Sequence, residues 1–541
     1  SLEAASAVAS APELSADAVI DGLANLVEKS LISIDSSKMA SEYFLLETTR
    51  VYAREKLEAG DIAGEFLRRH AQYLVEVFLR AETDWETRPT DDWLAAHARH
   101  LDGLRAAVAW AFSPRGDASV GSALTIAALP LWLQLSLFEE CLASVDAALD
   151  HLARGGVPDP IWPMKLHAAR GACLLYQGTG ARTTAAFERA LELADQVGDS
   201  EYQLRAIWWL WGSTYLGGGY RAALALAERF SALAAERSNS PDTLVGERML
   251  GMSRHCLGDL AAARMHLERM LERYQAPVHR SHLMRFLYDQ EVVARCALAH
   301  VLWVQGLPDQ AARAAQGAIE RARTIDHPPS ICYALTEGVC PMLLLTAGPA
   351  ALEASASWAV EATRRHGVST WKARGQLWHG LWRLDRGDAS AYESAVAPAL
   401  EKIGDARFVV HYTGYLSALC ETLGRRGRPI DGLALVDGAI DRAERVGDGC
   451  SLVELLRVKA ELSLLLDHPS GAEALFNRAS NEAQHHDVLS WKLRSAMSLA
   501  RWLHRRGKPA RHVLAPVFAR FGEGFATADL AAATALLDSL G

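Results

Sequence analysis

The side chains with chemistry to offer are spread along the chain and never gather into a motif. Three carboxylates, Glu291, Glu337 and Asp385, stand on what read as first helices of successive helix pairs. In a closed α/α toroid such acids converge as the general acid and base of glycoside hydrolysis. Nothing in their spacing pairs them, so a toroid enzyme is kept only as a minor alternative. Gly507-Lys508 is the nearest approach to a phosphate-binding loop, but Pro509 follows where a hydroxyl ligand is needed and the upstream glycine is missing. Neither H-E-x-x-H nor G-x-S-x-G occurs. His97 with His100, and His485 with His486, are close enough in sequence to be metal ligands, yet polar positions at helix ends account for them. The eight cysteines (Cys141, Cys173, Cys256, Cys296, Cys332, Cys340, Cys420 and Cys450) stand singly. That is how small buried residues of a reducing compartment are distributed. The chain therefore reads as a non-enzyme with no metal or cofactor of its own.

The elements that must carry these residues are set by composition and periodicity. Half of the 541 residues are hydrophobic, enough for a large core, and mean hydropathy is close to zero. A net charge of -9 and a pI near 6.1 argue against a phosphate-binding surface spread over the whole protein. Residues 118–138 carry no charge and are long enough to span a bilayer, but Ser, Thr, Gln, Gly and Pro130 within them favour a helix buried among others. With no signal-peptide pattern and a start at Ser1, the expectation is a cytoplasmic fragment that does not meet a membrane.

From about residue 160, apolar residues recur at helical spacing in paired segments joined by short turns. Glycines close the first helix of many pairs, at Gly178, Gly219, Gly258, Gly306, Gly348, Gly387, Gly427 and Gly507, about 40 residues apart. The last interval is doubled, with Pro469 and Gly471 marking the skipped turn. Seven residues before the turn stands a small residue, Gly171, Gly212, Gly251, Ala299, Gly380, Cys420 or Ala500, where a partner helix must cross closely. This resembles a long variant of the tetratricopeptide repeat. Ala263 and Ala311 match that pattern's small residue after the turn; Tyr392 and His512 do not. The expected fold is all-α, a tetratricopeptide-like right-handed superhelix of antiparallel helix pairs over 161–541. The basic runs Arg425, Arg426, Arg428 and Arg505, Arg506, Lys508 read as cations at helix C-termini. The last segment reads as an array cap, with Thr527 as N-cap and Leu530, Leu536, Leu537 and Leu540 covering the core.

The first sixty residues differ. A helix over Asp17–Ser30, a strand in LISID, the polar loop SSKMAS and a second strand through Tyr43–Leu46 lead into another helix, with Thr48 or Thr49 as its cap. That order is the closing half of a winged helix. LANLVEKSLI with YFLLETTRVYAREKL at one end, and LSWKLRSAMSLARWLHRRGKPARHVLAPVFARFGEGFATADL at the other, resemble the C-terminal half of bacterial STAND-type regulators. The resemblance implies a winged helix packed on an ATPase, followed by a helical-repeat sensor. It divides the chain into the end of a winged-helix domain (1–60), a connecting helical region (61–160) and a repeat array with its cap (161–541). Asp17, Asp21 and Glu28 against Lys29 alone give the N-terminal helix the wrong charge for DNA.

In the tetratricopeptide register the concave groove is lined by Gln203, Trp209, Ser213, Arg248, Met252, His255, His300, Trp303, Arg374, Trp378 and His411. Aromatics among Arg and His suit a partly apolar, anionic small molecule, or a peptide or protein inducer. The expected function is a regulatory sensor that binds such an inducer, reports it to an ATPase of the same parent protein and oligomerises on activation, without touching nucleic acid itself. A passive protein-interaction scaffold is the alternative.

Overall fold

The computed structural model describes residues 1–11, 14–35, 42–58, 63–84, 88, 90–135, 137–155, 161–177, 180–237, 242–275, 285–365, 369–404 and 409–540. They form two compact units, Ser1–Gln203 and the chain from Leu204 onward, which divide inside the helix Ser200–Leu216.

In the first unit, helix Ala16–Glu28 starts at Ser15, whose hydroxyl accepts from the Ala18 amide. Strands β1 (Ile32–Asp35) and β2 (Glu42–Leu45) follow, paired antiparallel with Ile32 opposite Leu45 and Ile34 opposite Tyr43. Helix Glu47–Glu58 leaves directly from β2. Helix, strand, strand, helix is the expected order; the loop 36–41 lies outside the described residues. Thr48 and Thr49 do not cap the last helix but sit within its first turn. Beyond it, Ala63–Asp84, Leu101–Ala111, Ala118–Gln134, Phe138–Ala153, Ile161–Gln177 and Ala181–Val197 pack around Leu74, Phe78, Leu104, Leu124 and Phe187. Trp93 is anchored there by its indole N–H, which donates to the Ala81 carbonyl at 2.8 Å. The uncharged stretch forms Ala118–Gln134, a core helix with Pro130 inside it.

The second unit is an all-α, tetratricopeptide-like array. Its pairs run from Ser200–Leu216 with Tyr220–Glu236 to Leu489–Arg505 with Arg511–Phe518, and Ala528–Ser539 covers the end. The turn glycines Gly258, Gly306, Gly348, Gly387, Gly427 and Gly507 have positive φ, a conformation that a Cβ opposes. In the first turn the residue is Gly218 (φ 83°) in place of Gly219, and in the skipped turn Asp467 (φ 57°) takes the role while Pro469 opens the next helix. Gly178 lies outside the described residues. Close helix crossing explains Gly171, Gly251 and Gly380: a Cβ would stand 2.5 Å from Phe187, 2.7 Å from Leu267 and 2.7 Å from Val396. Gly212 has nothing within 4 Å, so no crossing demands it. Thr527 occupies the N-cap of the last helix, but its hydroxyl donates back to the Gly524 carbonyl and does not cap. Among the described residues only Pro328–Ala347 is long and apolar enough to cross a membrane, and 72% of its apolar stretch is buried in protein.

The array curls so that its early turns reach later pairs. Arg442 donates to the Gly217 carbonyl, 225 residues away, and Ser490 to the Trp303 carbonyl, 187 residues away. Glu523 accepts from the amides of Asp309 and Gln310 at 3.0 Å. Turns of the first three pairs thus lie against the last pairs, and the concave side becomes the interior of the unit.

Candidate functional site

The inward faces of the first helices build this interior. Pro328–Ala347 is interrupted by a π-helical turn over Ala334–Val339, the kind of local widening that often marks a site. The turn carries Glu337, 4% exposed, to the centre. Its Oε1 lies 3.0 Å from Arg374 Nε and accepts from the Tyr412 hydroxyl at 2.9 Å, and its Oε2 lies 2.7 Å from His411 Nε2. Its backbone carbonyl lies 2.9 Å from His300 Nε2. Burial alone would raise the carboxyl pKa, but His411, Arg374 and Tyr412 together hold it down at about 2. Four successive repeats thereby share one buried ion cluster. His255 and His300 are kept neutral: burial, then the neighbouring imidazoles, press them down to about 3 and about 4. With Trp303 and His411 they wall a void of about 10 Å³, room for about one water.

Of the expected groove residues, Trp209, Ser213, Arg248, Met252, His255, His300, Trp303 and Trp378 are buried and Arg374 and His411 half-buried, so among the described residues this centre is filled and not an open groove. Trp209, Ser213, Met252 and Trp378 are packed core, with the Trp378 indole donating to the Thr336 carbonyl at 3.0 Å. Trp303 stacks edge-to-face on Trp491 at 4.5 Å. Arg374, His411, His300 and His255 come together around Glu337. Arg248 lies apart from them under Trp211, at 4.8 Å from its ring centroid. Gln203 belongs to the other unit, where its amide donates to Asp195 at 2.8 Å. The toroid acids do not converge: Glu291 pairs with Arg295 and Arg321, and Asp385 with Arg425. The basic runs serve as bridges between repeats, Arg428 to Glu393 and Arg506 with Lys508 to Glu473. No group of three metal-ligating side chains occurs among the described residues.

A second cluster was missed from sequence. Arg457, buried, binds Glu454 at 2.8 Å and Glu421 at 2.7 Å; Arg494 reaches Asp529 at 2.7 Å and Glu454 at 3.4 Å. Arg457, Glu421, Arg494 and Asp529, with Arg425 and Arg501, edge an open pocket of about 250 Å³. Its arginines are largely answered by acids. The signal was available in the separations of the partners, 36 residues for Arg457 to Glu421 and 40 for Arg494 to Glu454, each one repeat.

A third feature belongs to the first unit. Of sixteen exposed large hydrophobic residues in the described chain, ten fall between Leu14 and Tyr52. Phe44 (47% exposed), Leu46 (61%) and Tyr52 (60%) stand on the hairpin and the helix that leaves it.

No family model matches the chain. Proteins of Mycobacterium bovis and Mycobacterium tuberculosis, each named "Putative HTH-type transcriptional regulator", are 31% identical to it over 218 residues, 38% of this chain and 24% of theirs. The chain thus spans about a quarter of the length of these relatives. Similar solved structures include a Rap protein complexed with competence and sporulation factor (TM-score 0.46, 11% identity, 68% of this chain and 98% of that one). Another is a STAND protein with a tetratricopeptide repeat sensor from Pyrococcus horikoshii (TM-score 0.34, 15% identity, 70% and 58%). By its terminal signatures, its repeats and its curated relatives, the chain resembles the C-terminal half of bacterial STAND-type transcriptional regulators.

Proposed function

We propose that this chain is the sensor and interaction module of a transcriptional regulator, taking an inducer inside the repeat array and docking through its N-terminal hairpin onto an ATPase segment of the same parent protein. The observation that carries this reading is the apolar surface around Phe44, Leu46, Val51 and Tyr52. So many exposed apolar side chains within one short stretch mark a surface meant to be covered. The Glu337 cluster supports the sensing half: a buried ion network spanning four repeats is costly to desolvate, and a change of curvature re-sorts its partners. Chemistry on nucleotide is left to the ATPase, since no phosphate loop is present in this sequence.

The test is co-elution of this chain with the nucleotide-binding segment of its parent protein, with the rate of ATP hydrolysis read in the same samples. Replacing Phe44 and Leu46 by Glu is expected to abolish co-elution while leaving the melting of the array unchanged. If the parent chain never co-elutes and never alters hydrolysis, the docking reading is wrong and the passive scaffold takes its place.

A further inference from the structure

Arg248 carries a charge that the fold does not answer. It sits on the inward face of the helix Asp242–Cys256, 2% exposed. Its guanidinium lies over Trp211, its Nη1 stands 3.1 Å from the Met252 sulfur, and the phenols of Tyr333, Tyr215 and Tyr274 are close enough to favour its charged form. Nε and Nη2 are buried with no acceptor among the described residues. The acids of its own helix are engaged elsewhere, Asp242 by Arg285 and Glu247 by His266 and Arg269, and Glu337 is held by Arg374 and His411. Its counterparts on later first helices, Arg374, Arg457 and Arg494, each hold a carboxylate. Burial, the largest influence, pushes the Arg248 pKa down to about 10, which leaves it charged at neutral pH. An uncompensated buried charge is strongly unfavourable where a methionine of similar volume would simply pack. A residue kept at that disadvantage points to a partner that arrives from outside.

We propose that Arg248 is the anchor for the carboxylate of an organic ligand whose apolar body lies against Trp211, Met252 and Tyr333. The two unanswered donors, Nε and Nη2, lie on one edge of the guanidinium fork, the pair that takes both oxygens of a carboxylate side by side. Tyr333 joins Tyr288 and Trp371 in an aromatic cluster with ring centroids 5.1 to 5.6 Å apart. Tyr288 and Tyr333 are only half-buried, so part of each ring is open to an apolar body. A ligand reaching Arg248 must part the first pairs of the array, so binding and a change in curvature are one event. This site names the inducer class of the sensor reading and rests on that reading for its consequence, though not for the binding itself.

The experiment compares the full chain with R248M and R248K by thermal melting and calorimetric titration. The probes are indole-3-acetate, phenylpropionate, inorganic phosphate, and a tripeptide ending in Phe with a free or an amidated C-terminus. Without ligand, R248M is expected to melt at or above the parent. At least one carboxylate probe should raise the parent's melting point and bind R248M at least tenfold more weakly, with R248K between. Stabilisation by the free-ended but not the amidated tripeptide identifies a peptide C-terminus as the source; stabilisation by the free acids alone identifies a small molecule. The proposal is overturned if R248M melts below the parent, if no carboxylate separates the two proteins, or if phosphate alone does so. A carboxylate that binds through Arg248 but leaves co-elution and hydrolysis unchanged removes the sensor reading and leaves the site standing.

Discussion

Acid should loosen the array well before Glu337 is protonated, and His255 lets the effect be measured. In the folded chain His255 and His300 titrate at about 3 and about 4, because burial, then the neighbouring imidazoles, oppose the charged form. In the unfolded chain both return to about 6.5. Between those values the unfolded state binds more protons, so stability rises with pH. The contribution is complete above the unfolded value and is lost as pH falls toward the folded values. At pH 5.5 an unfolded imidazole is about ten-elevenths protonated while its folded counterpart is nearly neutral, so each site withdraws RT ln 11, about 1.4 kcal/mol, and the two together about 3 kcal/mol. Glu337 works in a lower window: its folded pKa of about 2 lies below its ordinary value of 4.5, so its contribution stands above 4.5 and is lost only below it. His100 and His167 in the first unit, both at about 4 through burial, share in the total loss, so the informative quantity is a double difference. The parent and H255L would be unfolded thermally at pH 7.5 and at pH 5.5. H255L should lose about 1.4 kcal/mol less than the parent on acidification, or about 3 °C at roughly 2 °C per kcal/mol for a domain of this size. Equal losses in the two proteins would refute the argument, because His255 would then titrate alike in the folded and unfolded chains.

Other outcomes follow from the same contacts. G251A should destabilise the array by about 1 to 3 kcal/mol, since its Cβ would meet Leu267 at 2.7 Å, whereas G212A, with open space around it, should stabilise by up to about 1 kcal/mol; urea midpoints of the pair test the crossing argument. E337Q removes the charge that answers Arg374 and His411 and should lower stability by about 3 to 5 kcal/mol, with R374M in the same background restoring part of it. D448A removes the N-cap of Gly449–Leu465, where the carboxylate accepts from the Ser451 amide at 3.0 Å, and should cost about 1 to 2 kcal/mol; an unchanged midpoint would show that the cap is idle.

What could be read from sequence alone were the local and periodic properties of the chain. A turn that forces positive φ selects glycine wherever it occurs, so Gly258, Gly306 and Gly387 announced the repeat. A helix crossing that excludes a Cβ made Gly251 and Gly380 legible for the same reason. The 3.6-residue period showed which residues face inward, and His255, His300, Trp303, Arg374 and His411 do. How far inward they lie depends on the pitch of the superhelix, which accumulates over many small rotations and is stated by no single residue. Only the curled array, with Ser490 on Trp303 and Arg442 on Gly217, turned an expected groove into a core. Ion partners were legible only in part: Arg457 and Glu421 stand one repeat apart, a spacing the sequence shows, whereas Glu337 gathers its cluster only where a π-turn carries it. That Arg374 is answered and Arg248 is not could be decided only in three dimensions: residue type sets the charge, and the tertiary structure alone determines whether an opposite charge comes within reach.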